Sequence, residues 1–309
     1  MKYLVTGANG FLGQHICQYL ESLNIDHRAV VRTGLSHQFS TGDLTQFTNW
    51  NYLFKDIHVV IHAAAKAHDM SKASDLIKTY QTVNFEMTVQ LAEQAKKNGV
   101  KKFIFISTVK VNGENSQDSP FKADDSPNPT DPYSISKHQA EQALLKMHQP
   151  GIFEICIIRP CLIYGTGVKA NFSSLMKLAE RGFPLPFGLI KNKRSIVSVY
   201  NLINLIMCCS KNSQASGNIF MASDGIDLSL AEIIKKIALS MGKKTLMLPV
   251  PISIMSLCFA LLNKKDLGQR LFSNLQVDIT KNKTVLNWEP PYTTEQSLNI
   301  MTTTMTKGN

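Results

Sequence analysis

The chain has 309 residues, about twice the usual domain length, so one enlarged domain or two intimate lobes is expected. Hydrophobic residues at 44% and charged residues at 18% suit a packed core and exclude a disordered chain. Lysine and arginine total 33 against 23 acids, a net charge of +10 that favours anionic partners; the charges are scattered singly and in pairs, which argues against nucleic acid.

Apolar runs rich in Val and Ile at Tyr3–Thr6 and at residues 27–32, 58–62, 102–107 and 153–159 predict strands buried on both faces. Between them lie amphipathic stretches, among them Phe11–Ser22 and residues 71–98, the latter with Leu91, Ala92 and Ala95 on one face. This alternation predicts an α/β fold, a Rossmann-type doubly wound parallel sheet over residues 1–165. After Gly165 helical patterns dominate, with proline-rich turns at 182–188 and 248–251, so residues 166–309 are expected to form mainly a smaller, mixed α/β substrate-binding lobe. Elements around 196–222, including a short strand at 217–221, are expected to fold back onto the sheet. Ser229 and Glu232 have capping-box spacing and open a helix that ends near Gly242. The apolar stretch at 251–262 is broken by serines and is too short to span a bilayer, which takes ~20 residues; it reads as a buried helix of the small lobe. The threonine-rich tail after Ile300 is expected to fray.

The opening residues carry no signal-peptide pattern, and no transmembrane segment is expected. Six cysteines without a CxxC fit a reducing, cytoplasmic setting, and eight histidines without a cluster predict no metal.

The first strand runs into Thr6-Gly7-Ala8-Asn9-Gly10-Phe11-Leu12-Gly13. Glycines spaced in this way, between a buried strand and a helix, permit a tight turn. They also let backbone amides approach a pyrophosphate at the helix N-terminus. At the end of the second strand, where a carboxylate would hold ribose hydroxyls, stands Arg32. A guanidinium suits a 2′-phosphate, so NADP(H) is favoured, with NAD(H) as the alternative.

Tyr133 and Lys137 stand four residues apart on one face of a predicted helix that follows Pro132. An ammonium near a phenol lowers its pKa toward a range useful for proton transfer. Upstream, a buried strand ends in Ser107-Thr108, hydroxyls at the end of a parallel strand where ligands bind in open α/β sheets.

With these pieces the chain resembles the extended short-chain dehydrogenase/reductases, in their nucleotide-sugar epimerase, dehydratase and reductase group. The matching segments include TGANGFLG, Gly42-Asp43-Leu44, His62-Ala63-Ala64-Ala65, Val83-Asn84, Val111-Asn112-Gly113, YSISK, Arg159-Pro160 and Tyr164-Gly165. The resemblance implies Tyr133 as acid/base, Lys137 as ligand of the nicotinamide ribose, and Thr108 as hydrogen-bond partner of the substrate. It implies cofactor contacts from Gly7, Asn9, Gly10, Phe11, Leu12, Gly13, Arg32, Asp43, Leu44, Ala63, Ala64, Ala65, Asn84 and Pro160. Lys110, Asn171, Arg194 and Arg270 would hold a UDP-sugar, and a homodimer would form through the helices near 72–98 and 132–148.

The dehydratases of this group carry Asp-Glu after the active-site threonine; here Val109-Lys110 follow, which speaks against dehydration. With Arg32, the expectation is NADPH-dependent reduction of the C4 keto group of a UDP-2-acetamido-2,6-dideoxy-4-hexulose for surface polysaccharide. A UDP-sugar 4-epimerase with tightly bound NAD is the alternative, action on a lipid-linked sugar a variant, and a non-catalytic NADP(H)-binding module a third reading.

Overall fold

The computed structural model describes residues 1–34, 38–42, 47–66, 73–168, 170–262 and 265–307. The first half runs β1 (Tyr3–Thr6), α1 (Phe11–Ser22), β2 (His27–Val31), β3 (Phe39–Ser40), α2 (Trp50–Phe54) and β4 (Val59–His62). One long helix follows: α3 (Ala73–Tyr80), a π-helical stretch Gln81–Glu86, and α4 (Met87–Lys97). Then come β5 (Lys102–Ile106), α5 (Pro132–Met147), β6 (Glu154–Pro160) and β7 (Leu162–Tyr164). The rest is α6 (Ala170–Arg181), β8 (Arg194–Ser198), α7 (Val199–Lys211), β9 (Asn218–Ala222), β10 (Asp227–Leu228) and α8 (Leu230–Ser240). Four helices close the chain: α9 (Ile252–Leu261), α10 (Lys265–Phe272), α11 (Thr280–Leu286) and α12 (Thr294–Lys307).

Seven strands form one parallel sheet in the order β3-β2-β1-β4-β5-β6-β9. The order reverses direction between β1 and β4, which pair with Tyr3 opposite Val59 and Thr6 opposite His62. The carboxyl ends of strands at such a switch point flank the crevice where α/β folds bind ligands. Side chains leave the strands alternately to the two faces. Tyr3, Val5, Ile104 and Ile106 pack with α1 and α7, while Leu4, Phe103 and Phe105 pack with α4 and α5. A second sheet, β10-β8-β7, carries a separate core in which Tyr164, Phe172, Ile196, Leu228 and Ile234 meet.

Strand β9 returns to pair with β6, in line with the predicted strand at 217–221. Two expectations are corrected. Helix α9 is not a buried helix: Met255 is its one buried residue. The tail does not fray at Ile300, because α12 continues to Lys307. There Leu298 and Met301 are buried, and the Thr302 hydroxyl donates to Ser240 O at 2.9 Å. The strands β3, β7, β8 and β10 escaped prediction: β3, β7 and β10 have only two or three residues, and β8 lies outside the strand–helix alternation of the first half.

A buried ion pair sets α5 on the sheet. Arg159 of β6 donates from Nε and Nη2 to the two oxygens of Glu141 at 2.9 and 2.6 Å, and from Nη1 to Asn112 Oδ1 at 2.8 Å. Burial pushes the Glu141 carboxyl up, but the bonds from His138 and Arg159 outweigh it and hold the pKa below the ordinary value. Removing one partner strands the other charge, so Glu141→Ala should destabilise the protein by about 3–5 kcal/mol in urea unfolding. Glu141→Leu combined with Arg159→Leu should recover part of that loss. A single variant within ~1 kcal/mol of the parent would show that the pair does not hold the helix.

Candidate active site

The nucleotide loop is built by close backbone approach. Gly7 has φ +67°, and a Cβ there would lie 2.8 Å from Ala64 Cα and N; one on Gly13 would lie 2.1 Å from Gly7 O. Helix α1 therefore rides directly over the turn, and the loop after β4 crosses it. The N-cap, Gly10, offers no side-chain cap to the first turn of α1. Uncapped amides beside glycines, at the sheet's switch point, fit the diphosphate of a dinucleotide. Phe11 and Gly165 adjoin, a Cβ on Gly165 meeting the Phe11 ring at 3.5 Å, so the turn after β7 closes this side of the crevice.

Polar bonds knit the strand ends together. His62, at the end of β4, bonds through Nδ1 to Thr6 Oγ1 at 2.7 Å and through Nε2 to Thr88 Oγ1 of α4 at 2.9 Å. Burial, with Lys137 nearby, lowers its pKa to about 3, so it stays neutral. Asn84 lies within the π-helical stretch, fully buried. Its Oδ1 accepts from Lys66 N at 2.8 Å, and its Nδ2 donates to Lys66 O at 3.0 Å and Ser136 Oγ at 3.2 Å. One side chain thus pins the loop carrying Ala63, Ala64 and Ala65 to the helix that carries Tyr133 and Lys137. The π-turn brings Asn84 to that junction, a use such irregular turns often serve.

Helix α5 begins in a capping box. Asp131 Oδ1 accepts from Ser134 N at 2.8 Å, and Ser134 Oγ accepts from Asp131 N at 3.2 Å. Tyr133, the second residue of the helix, is half-buried against the edge of Tyr80, the ring centroids 5.9 Å apart. Lys137 is buried, with Nζ 3.9 Å from the centre of the Phe105 ring. Burial lowers its pKa to about 7, against an opposing pull from Glu141. Burial also raises the Tyr133 pKa, helped by Asp131 and Tyr80. The expected depression of the phenol by Lys137 is therefore absent in the protein alone: desolvation dominates both groups. Thr108 caps the short 3-10 turn after β5, its Oγ1 accepting from Lys110 N at 3.3 Å.

The predicted substrate ligands have varied placements. The Lys110 ammonium is held by Asp131 at 2.6 Å and Glu114 at 2.8 Å, bonds that raise its pKa despite partial burial. Arg194 turns its Nη1 to Arg270 O at 2.7 Å and Ser273 O at 3.0 Å, tying β8 to the end of α10. Arg270 is exposed, its guanidinium 3.7 Å from Glu114. Arg270, Glu114, Lys110 and Asp131 thus form a chain of charges from the small lobe to the cap of α5. Asp131 and Glu114 escaped sequence reading, although Asp131-Pro132 before a helix is a start signal. Arg32 is exposed at the end of β2, and Pro160 is buried at the end of β6. Asp43 and Leu44 lie outside the described residues, as does the side chain of Asn171. Among the described residues, no group of three or more His, Cys, Asp or Glu could hold a metal.

The model of the NAD dependent epimerase/dehydratase family matches residues 3–222. The chain belongs to that family. It is an NAD(P)-dependent nucleotide-sugar oxidoreductase or epimerase, and the non-catalytic reading falls. A UDP-glucose 4-epimerase of Vibrio cholerae is 42% identical over 95% of this chain and 92% of its own. The N-acetyl-alpha-D-glucosaminyl-diphospho-ditrans,octacis-undecaprenol 4-epimerase of Escherichia coli O157:H7 is 28% identical over 84% and 80%. Among solved structures, UDP-glucuronic acid 4-epimerase from Bacillus cereus in complex with NAD shares the fold, with a TM-score of 0.77 at 24% identity, covering 100% of this chain and 99% of that one.

The lowered Lys137 pKa has a consequence for this family member's stability. Between about pH 7 and the ordinary 10.5, the unfolded chain carries a proton on Lys137 that the folded chain lacks. Stability then rises with pH across that window, and the penalty is fully present below pH 7. Lys137→Met should stabilise the protein at about pH 6 and flatten the rise between about pH 7 and 8.5 in urea unfolding. Parent and variant curves that run parallel would contradict this.

Proposed function

We propose that the protein is a 4-epimerase of UDP-linked hexoses that holds NAD through the catalytic cycle. Helix α5, with Tyr133 and Lys137 one turn apart and packed against the 3-10 turn that Thr108 caps, is the observation that carries an oxidoreductase step at a sugar hydroxyl. The V. cholerae relative, similar over nearly the whole chain, favours epimerisation over net reduction.

The residues at the loop fit a dinucleotide: Gly7 and Gly13 let the turn, α1 and the segment after β4 close on one another, which would aim the uncapped amides of α1 at the diphosphate, and Ala63, Ala64 and Ala65 would line the adjoining wall. Bound there, the nicotinamide supplies hydride exchange at C4. The chain supplies proton control. Tyr133 would hold the proton exchanged with O4, its raised pKa keeping the phenol protonated until an added positive charge favours the phenolate. Thr108 accepts the Lys110 amide on a lone pair, which leaves its own proton to donate to O4. Lys137, walled in by Phe105, would meet the ribose hydroxyls and give Tyr133 its electrostatic partner. Arg270, exposed at the mouth, would reach the diphosphate of the sugar nucleotide, with Arg194 holding the end of α10 in place.

The second reading is the NADPH-dependent 4-ketoreductase, which Arg32 favours. Its exposed position at the end of β2 suits a 2′-phosphate. Denaturing the purified protein and weighing the released nucleotide separates the two readings. One equivalent of NAD is expected for the epimerase; an empty protein that then binds NADPH well above NADH would establish the reductase instead.

Tyr133→Phe should leave the urea midpoint close to the parent's and lower kcat/KM for interconversion of UDP-glucose and UDP-galactose by about 10²–10⁴-fold. Retention of full turnover would remove Tyr133 from the chemistry.

A further inference from the structure

We propose that α9 and the chain segments beside it form a docking surface for an anionic lipid bilayer. The ten residues ISIMSLCFAL carry no charge. A helix with eight apolar residues in ten, interrupted by Ser253 and Ser256, belongs in a protein core or in lipid, yet this one buries Met255 alone. Ile254, Leu257 and Leu261 are 52%, 60% and 76% exposed, and their spacing of three and four residues places them on one outward stripe. The surface extends beyond the helix. Leu246 and Leu248 are exposed on the segment leading into α9. That segment lies hydrogen-bonded along Leu185, with Leu185 N to Leu246 O at 2.8 Å and Leu248 N to Leu185 O at 2.7 Å. Phe183, 67% exposed, stands two residues before this pairing. Adjoining segments thus add exposed apolar side chains next to the helix, where isolated exposed leucines would need no explanation.

Charge selects the occupant. The flanking segments carry exposed Lys177, Arg181, Lys191, Lys193, Lys243 and Lys244 against one exposed acid, Glu180. The Lys243 ammonium donates to Glu180 O at 2.8 Å, which sets the basic turn after α8 against the end of α6. An apolar helix rimmed by lysines is the pattern of an element lying in the headgroup plane of anionic lipid. A second copy seated on the same face would bring basic rim to basic rim, because an isologous contact repeats one patch on both sides. At ten residues α9 cannot cross a bilayer, and no described helix is long and apolar enough to do so. Docking would also bring a groove of about 560 Å³ to the lipid surface. It lies between α9 and α10, with Ile252, Phe259 and Phe272 in its wall, and it adjoins Gln269 and Ser273 beside Arg270.

The test is co-sedimentation of the full-length protein with phosphatidylglycerol/phosphatidylcholine vesicles and with pure phosphatidylcholine vesicles. Binding to the anionic vesicles should be at least about tenfold tighter and should weaken with added salt. Leu257→Asp combined with Leu261→Asp should reduce it by at least about tenfold, with turnover and urea midpoint unchanged. Equal binding to both vesicle types, or binding that survives the double substitution, would overturn the proposal. So would a molar mass by light scattering that falls in the variant, which would assign α9 to a second copy of the chain. None of these outcomes depends on whether the enzyme proves an epimerase or a reductase.

Discussion

The placement of α5 is the constraint on which the catalytic end of the molecule depends, and one buried guanidinium imposes it. Arg159 points from β6 into the space under α5 and meets both oxygens of Glu141, while Asn112 takes a third N–H from the turn after β5. Three consecutive pieces of the site, the turn holding Thr108, the strand ending in Pro160 and the helix holding Tyr133 and Lys137, are thereby fixed to a common point. An apolar contact could slide by a residue at small cost. A bidentate ion pair in a desolvated setting cannot, because any slip leaves a charge without its partner. The chain accepts the desolvation of two charges here in exchange for register.

A second layer of polar contacts performs the same task on the cofactor side. Asn84 spans from the loop after β4 to Ser136, and His62 spans from β1 to α4, each satisfied on both ends. Buried side chains bonded in this way transmit position between elements, since loosening one end leaves an unpaired polar group. The charge chain from Arg270 through Glu114 and Lys110 to Asp131 extends the scheme across to the small lobe. A substrate anion drawing on Arg270 would therefore act on a network that ends at the N-terminus of α5, two residues from Tyr133.

Much of this was legible in the sequence, and the failures have physical causes. The strand at Tyr3–Thr6 and the helices at Phe11–Ser22 and Pro132–Met147 declared themselves because pattern, cap and breaker agreed. Tyr133 and Lys137 fall on one helix, as their spacing implied, with Lys137 over the Phe105 ring. What the spacing could not convey was dielectric: an ammonium four residues from a phenol lowers the phenol's pKa only where it keeps its own proton, and burial opposes that. The ion pairs were invisible for another reason: Asp131 lies across a loop from Lys110, a separation that leaves no periodic trace, and Glu114, four residues from Lys110, lies beyond the end of a three-residue 3-10 turn where helical spacing predicts nothing. Helix α9 was misread because apolar composition was equated with burial, a rule that fails wherever the surface itself meets something apolar.

The electrostatics of Lys137 explain why the pieces must be assembled rather than merely present. A lysine with its pKa brought down to about 7 is half-neutral near physiological pH, and a buried tyrosine beside Asp131 resists ionisation. Left alone, then, the tyrosine is held protonated and the lysine gives it only a partial positive charge as partner. A ligand that brings hydroxyls and positive charge to the crevice shifts both in the useful direction: hydroxyls accept hydrogen bonds that the desolvated ammonium lacks among the described residues, and positive charge favours the phenolate. The Phe105 ring, 3.9 Å from Nζ, supplies the remaining compensation, since the face of an aromatic ring attracts a cation without presenting an oxygen that would compete with substrate. An acidic neighbour in its place would hold the ammonium more firmly and would also raise the Tyr133 pKa further, as Asp131 already does. The apolar partner is the choice that charges the lysine least while leaving the tyrosine responsive.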